Sequence, residues 1–188
     1  IISFIVAFFI LNSIPLRVAA INKENKSIVF KRITIEDGLS QTSAQYIFQD
    51  STGYMWIGTS AGLNKYNGHE FEVYKYSEGS TKSISNNYIA AINEDKYGNI
   101  WVGTSGGLNK IDPKTNEIKT YLSDKPNPKI SDNNITEILI DSNNDILVAT
   151  TNGLNVYDEK NDNFIRLYED KNNNKKLTSQ FIYSIVED

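Results

Sequence analysis

The stretch Trp101–Lys110, WVGTSGGLNK, joins an apolar run to a glycine cluster with a lysine just beyond it. That is the outline of a loop whose backbone N–H groups cradle a phosphate while the Lys reaches the outer oxygens. Such a loop needs a Ser or Thr directly after the Lys and a helix opening there. Here Ile111 follows Lys110, and the pattern runs on as a strand. The segment does not read as a nucleotide site.

Carboxylates are the next candidates for chemistry. Asp50, Gly53 and Trp56 form D-x-x-G-x-x-W, and Asp95, Gly98 and Trp101 repeat it. The pattern resembles the Asp box of sialidases and other glycosidase propellers, where the Asp is a turn residue. Sialidase chemistry needs an Arg cluster for the substrate carboxylate and a Tyr nucleophile. Beyond residue 20 the chain holds only Arg32 and Arg166. Asp141–Asp145, DSNND, starts like a calcium loop, but Ile146 stands where the Gly belongs and Asn152 where the closing Glu belongs. With no Cys and one His, His69, thiolate and multi-histidine metal sites are excluded. His69 reads as a surface turn residue. A net charge of −4 gives no basis for nucleic-acid binding. No catalytic residue, metal ligand or cofactor is expected in this chain.

What positions these residues is a repeat. MWIGTSAGLNKYN, IWVGTSGGLNKID and ILVATTNGLNVYD begin at Met55, Ile100 and Ile146. Asp50, Asp95, Asp141 and Asp188 mark the period, with spacings of 45, 46 and 47. A helical repeat of this length needs apolar residues at 3.6 spacing over ten or more residues. These units instead show four short segments rich in aromatic and β-branched residues, separated by turn residues. Four strands per repeat is the blade of a β-propeller.

The spacing predicts an all-β fold of three four-stranded blades and the start of a fourth. Blades are placed at 39–83, 84–129 and 130–176, with 177–188 opening the next. The first strand of each blade is apolar on both parities. Ile89 and Ile92, three apart, are expected on opposite faces. Trp56 and Trp101 are expected to pack between blades rather than to stack on a sugar. In the first hairpin, DSTG, DKYG and DSNN end on Gly53, Gly98 and Asn144, as a turn needing positive φ requires. Gly58 and Gly103 give way to Ala149, so smallness is the demand there.

EDGLSQTSAQYIFQDSTGYMWIGTSAGLNKYNGHEF, together with the later G-N-I-W-V-G-T and G-G-L-N segments, resembles the two-component regulator propeller family over about residues 30–188. The third repeat departs from the pattern, with Leu147 for Trp and Asn144 for Gly. The resemblance implies an exported sensor region of many blades. Its output module, elsewhere in the same polypeptide, would be a histidine kinase, a hybrid kinase or a diguanylate cyclase. It further implies a small ligand, an oligosaccharide in some members, and a homodimer. A secreted glycosidase-type or lyase propeller and a purely protein-binding propeller are the alternatives.

Residues 1–20 open with the apolar run IISFIVAFFIL and end on Val18-Ala19-Ala20. They read as a signal peptide lacking its n-region, or as an N-terminal anchor. Either places the rest outside the cytoplasm, as the extracytoplasmic part of a cell-membrane protein. Residues 28–38 read as a lead-in strand, with Ile28–Ile33 closing the ring onto the last blade. Ligand-binding residues are not fixed by the sequence. Topology offers the loops before each first strand, Gln41–Ser43, Asn86–Asn87 and Asp132–Asn134.

Overall fold

Each repeat folds into one antiparallel sheet because its four short apolar segments are joined by turns too tight for any other pairing. The computed structural model describes residues 30–125, 129–167 and 179–188. The apolar run 1–20 and residues 28–29 of the lead-in lie outside them. The chain divides into two compact units, Ile1–Lys31 and Arg32–Asp188, and all the sheets lie in the second.

Blade one comprises β1 (Tyr46–Gln49), β2 (Met55–Thr59), β3 (Gly62–Tyr66) and β4 (Phe71–Tyr74). Blade two comprises β5 (Ile89–Glu94), β6 (Ile100–Thr104), β7 (Gly107–Asp112) and β8 (Glu117–Tyr121). Blade three comprises β9 (Ile135–Ile140), β10 (Ile146–Thr150), β11 (Gly153–Asp158) and β12 (Asn163–Leu167). Within each sheet the strands lie in sequence order, each hydrogen-bonded to the next. This is the all-β propeller architecture that the period predicts.

The first hairpin turns through Gly53, Gly98 and Asn144, with φ of 94°, 84° and 66°. Asn is the residue that best replaces Gly in that region. Between residues 30 and 38 the described chain forms no strand. A 3-10 turn at Ile35–Asp37 is capped by Thr34. Closure of a ring by 28–33 needs a partner blade and remains a proposal.

Two cores glue the blades face to face. The first holds Trp56, Leu63 and Tyr74 of blade one against Ile89, Ile92 and Val102 of blade two. The second holds Trp101, Leu108 and Tyr121 of blade two against Ile135, Ile138 and Phe164 of blade three. Both Trp side chains are 0% exposed, so they are packing residues between blades. The expectation that Ile89 and Ile92 face opposite ways is corrected. The β5–β6 register shifts between Ile89 and Ala91, and the extra residue turns both Ile side chains into the same core. The β9–β10 pair carries the same shift. Ile135 and Ile138 are brought together likewise.

The small residue at mid-strand is explained by these isoleucines. A Cβ on Gly103 would lie 2.5 Å from Ile135 Cγ2, and one on Gly58 would lie 2.7 Å from Ile89 Cγ2. Neither glycine has positive φ, so the constraint is space alone. Gly103→Ala is expected to lower stability by about 1–3 kcal/mol through overpacking. Denaturant melts should show the Ile135→Ala background tolerating it better, because the nearest clashing methyl is gone. Equal losses in both backgrounds would disprove the clash.

Residues 179–188 form no strand, yet they dock on blade three at equivalent positions. The Ser51 N–H and hydroxyl donate to the Glu94 carboxylate at 2.7 and 2.6 Å. Those of Ser142 donate to Glu187 at 2.9 and 2.5 Å. Between blades two and three the two positions carry Lys96 and Ile140. There the contact is replaced by a Lys96–Glu159 ion pair at 3.0 Å. Residues 177–178, where the fourth blade is expected to open, and 168–176 of blade three lie outside the described residues.

Candidate functional site

The loops leading into each blade are held by a buried triad. The Ser40 hydroxyl lies 2.8 Å from that of Thr59. The Ser40 N–H donates to Asn64 Oδ1 at 2.8 Å, and Asn64 Nδ2 donates to Ser40 Oγ and to the Ile57 carbonyl, both at 2.9 Å. Ser85, Thr104 and Asn109 repeat the arrangement in blade two. Ser131, Thr150 and Asn155 repeat it in blade three. The three Asn side chains are buried and every polar atom in them has a partner, as burial demands. Each triad ties a loop to the middle of its own sheet, so the residues that follow the loop are fixed in space.

Those residues face an open cavity of about 530 Å3, to which the inner strands themselves contribute Ala90, Ile135 and Thr136. Gln45, Ala90, Thr136 and Tyr183 occupy one repeat position, five residues before the turn Asp. Tyr88, Asn134 and Phe181 occupy another, seven before it. Thr151, from the β10–β11 hairpin, joins them. Contributions from equivalent positions of successive blades mark this as the axial side of the propeller. The carbonyls of Tyr88 and Asn134 accept from the N–H groups of Ser105 and Thr151, at 3.2 and 3.1 Å. The rings of Phe181 and Tyr183 lie 4.8 Å apart.

A layer facing the other way carries Tyr46, Ala91 and Glu137 of the inner strands and Ser184 of the segment docked on blade three. Ala91 is small, and the Tyr46 hydroxyl reaches past blade two to donate to Glu137 at 3.5 Å. Ser184 Oγ donates to the other oxygen of Glu137 at 3.5 Å. Burial, with the Glu137 carboxylate beside it, pushes the Tyr46 phenol above its ordinary pKa.

Of the loops offered by topology, only Asn134 lines the cavity. Gln41, Asn86 and Asp132 accept from N–H groups two residues on in their own loops. Asn87 and Asn133 accept from Tyr76 and Ser123. The cavity residues lie just after these loops. The columns five and seven residues before the turn Asp vary from repeat to repeat, as do their neighbours, so no residue pattern in the sequence marks them.

The Asp box is a brace. Asp50 Oδ1 accepts from the N–H groups of Thr52 and Tyr54, and Oδ2 from Trp56 Nε1 at 2.8 Å. Burial pushes the Asp50 carboxyl up, but hydrogen bonds from Thr52, Trp56 and Tyr54 together outweigh it and hold the pKa below the ordinary value. A carboxylate so engaged is a poor general acid or base. His69 is exposed, its N–H held by Asn67 in a turn. A cleft of about 340 Å3 between blades two and three contains Lys96 and Lys110. They pair with Glu159 and Asp95 at 3.0 and 3.9 Å, and Asp145, Asp158 and Lys160 line the same cleft. Among the described residues no cluster of ligating side chains could hold a metal, and no helix is long and apolar enough to cross a membrane.

The sheets and their axial cavity define a β-propeller segment. Residues 38–61 and 83–106 match the family model described as two component regulator propeller. The matched segments lie in blades one and two. Over 66 residues the chain is 44% identical to Histidine kinase P4 of Formosa agariphila, covering 35% of this chain and 5% of that kinase. It superposes on the extracellular domain of the hybrid two-component system BT3049 of B. thetaiotaomicron with TM-score 0.67 and 28% identity. That match covers 73% of this chain and 20% of the other. For the extracellular domain of the hybrid two-component system BT4673 of the same organism the values are 0.62 and 27%, over 78% and 19%. The chain thus spans about a fifth of the length of these solved domains. Virginiamycin B lyase of Staphylococcus aureus, at 18% identity and TM-score 0.50, shares the fold.

Proposed function

We propose that this chain is part of the extracytoplasmic sensor of a membrane signalling protein of the two-component type, and that it binds a small ligand, an oligosaccharide, at the axial cavity. The observation that carries the reading is the likeness to extracellular domains of hybrid two-component systems, at 27–28% identity over about three quarters of the chain. The cavity adds a place for a ligand, since its volume lies within the roughly 300–1,000 Å3 of small-molecule sites. On this reading the output is a histidine kinase, hybrid kinase or diguanylate cyclase module of the same polypeptide, working as a homodimer. The chain itself does no chemistry. The alternative of a secreted glycosidase-type propeller would need carboxylates at the cavity. The described residues that line it include no Asp or Glu.

The test uses the complete protein in membranes, with phosphotransfer or cyclic dinucleotide production followed as oligosaccharides are added. A response is expected, and the double variant Tyr88→Ala, Tyr183→Ala is expected to lose it while melting at the same temperature. An undiminished response in that variant would remove the axial cavity from the mechanism.

A further inference from the structure

We propose that Asn67 is a site of spontaneous deamidation, where the turn between β3 and β4 converts to aspartate and isoaspartate. The chemistry is separate from ligand sensing. Asn followed by Gly is the dipeptide most open to this reaction, because the glycine nitrogen approaches the preceding side chain with no Cβ in the way. The chain carries it twice, at Asn67-Gly68 and at Asn152-Gly153. The fold treats the two differently.

The step is an intramolecular acyl transfer. The Gly68 nitrogen bonds to Asn67 Cγ, its proton passes to water, and Nδ2 leaves as ammonia. Water then opens the cyclic imide. Cleavage of the new bond gives aspartate, and cleavage of the old peptide bond gives isoaspartate. During the attack negative charge gathers on Asn67 Oδ1. That oxygen accepts from the N–H groups of His69 and Glu70, both at 2.8 Å. Two backbone donors aimed at a developing oxyanion lower the barrier of acyl transfer. The Tyr66 hydroxyl strengthens one of them. It donates to the Gly68 carbonyl at 2.6 Å. That carbonyl shares a peptide unit with the His69 N–H, so the bond polarises the donor. Among the described residues neither the Gly68 N–H nor Asn67 Nδ2 has a hydrogen-bond partner, so nucleophile and leaving group are both untied. Nor does any described atom lie within 4 Å of where a Cβ on Gly68 would stand, which leaves room for the ring to close.

Asn152 is locked instead. Its Oδ1 accepts from Arg166 Nη2 at 3.0 Å, and its Nδ2 donates to the Ser131 carbonyl at 3.4 Å. An amide held at both ends cannot swing Cγ onto the next nitrogen. A Cβ on Gly153 would lie 2.8 Å from Arg166 Nε, so the guanidinium also crowds the nucleophile. At Asn67 the product has a structural consequence. Tyr66 and Phe71 pair across the hairpin with their rings 4.4 Å apart, which fixes the length of the turn. Isoaspartate adds a methylene to the backbone and is expected to break the bond from the Asn67 N–H to the Glu70 carbonyl, 3.3 Å long. Strand β4 would loosen with it. That strand carries Tyr74, whose hydroxyl joins blade one to Asn116 of blade two at 3.1 Å.

The experiment incubates the complete protein in mildly alkaline buffer, once native and once in denaturant, and follows both sites by mass spectrometry of tryptic peptides. Cleavage after Lys65 and Lys75 isolates Asn67. In denaturant the two sites share the same dipeptide and no fold. In the native protein Asn67 is expected to react within about threefold of its rate in denaturant, and Asn152 at least about tenfold below its own. His69→Pro removes one donor to Oδ1. It is expected to slow the native reaction at Asn67 by at least about threefold and to leave the reaction in denaturant unchanged. An Asn67 protected by the native fold as strongly as Asn152 overturns the proposal. A His69→Pro protein that reacts as fast as the wild type, or faster, overturns the activating role of the two donors.

Discussion

Trp101→Ala should lower the stability of blades two and three by about 3–5 kcal/mol. The indole is 0% exposed. It stacks on Tyr121 at 5.6 Å within its own blade and meets Tyr157 and Phe164 of blade three edge-on at 4.9 and 6.3 Å. Truncation would leave a cavity between two sheets that cannot close independently, because Gly103 and Ile135 already hold the backbones in close contact. It would also remove the Nε1 hydrogen bond to Asp95 Oδ2, 2.9 Å long. The Lys110 ammonium, 5.3 Å over the ring, would lose the face it rests on. Trp101→Leu copies the residue that blade three carries at Leu147, and it should cost less than Ala because much of the volume is retained. Equilibrium denaturation of the complete protein, with hydrogen exchange to locate the loosened blades, measures both. A Trp101→Ala protein that unfolds like the wild type would show that the indole does not bind the blades together.

The ring plan was legible because a propeller writes its geometry as a period. The Asp spacing placed the hairpins, and the exchange of Gly for Asn144 at φ 66° identified a position defined by its dihedrals. The exchange of Gly103 for Ala149 identified one defined by space. The facing of Ile89 and Ile92 was not legible. A bulge breaks the alternation of side chains, and nothing in the residue types of Ile89–Ala91 announces one. The triads were half legible. Ser, Thr and Asn recur in every repeat, but their partners lie 19 and 24 residues apart, so only the folded sheet shows them bonded. The axial cavity was partly legible: Asn134 belongs to one of the loops that topology offers, and Gln45, Tyr88, Ala90 and Thr136 follow those loops by one to three residues. Polar loops looked the more suitable ligand donors, while Gln41, Asn86 and Asp132 serve their own turns and Asn87 and Asn133 hold the segment before the loop.

The triads give the second large effect, and it links stability to the site. Asn109 is 0% exposed. It accepts from the Ser85 N–H at 2.9 Å and from Thr120 Oγ1 at 3.2 Å. It donates to Ser85 Oγ at 3.0 Å and to the Val102 carbonyl at 3.2 Å. Asn109→Ala would leave the Ser85 N–H and the Val102 carbonyl without this partner, at about 1–3 kcal/mol for each buried group left unpaired. A loss of about 2–5 kcal/mol is expected in denaturant melts. The loop from Ser85 to Tyr88 would be released with it. Amide exchange at Ser85 should therefore quicken, and ligand response should fall although Asn109 itself is outside the cavity. Asn109→Asp separates shape from hydrogen bonding. An ionised Asp can still accept from Ser85 but cannot donate to Val102, and it buries a charge. Burial raises the pKa of such a carboxyl. Its penalty is therefore full above the folded pKa and shrinks as pH falls through it, because the protonated form regains a donor. Relative to wild type, Asn109→Asp should recover stability on acidification while Asn109→Ala does not. If the two variants instead track each other at every pH, the Val102 bond carries no weight, and the loops that shape the axial cavity are held by something other than the triads.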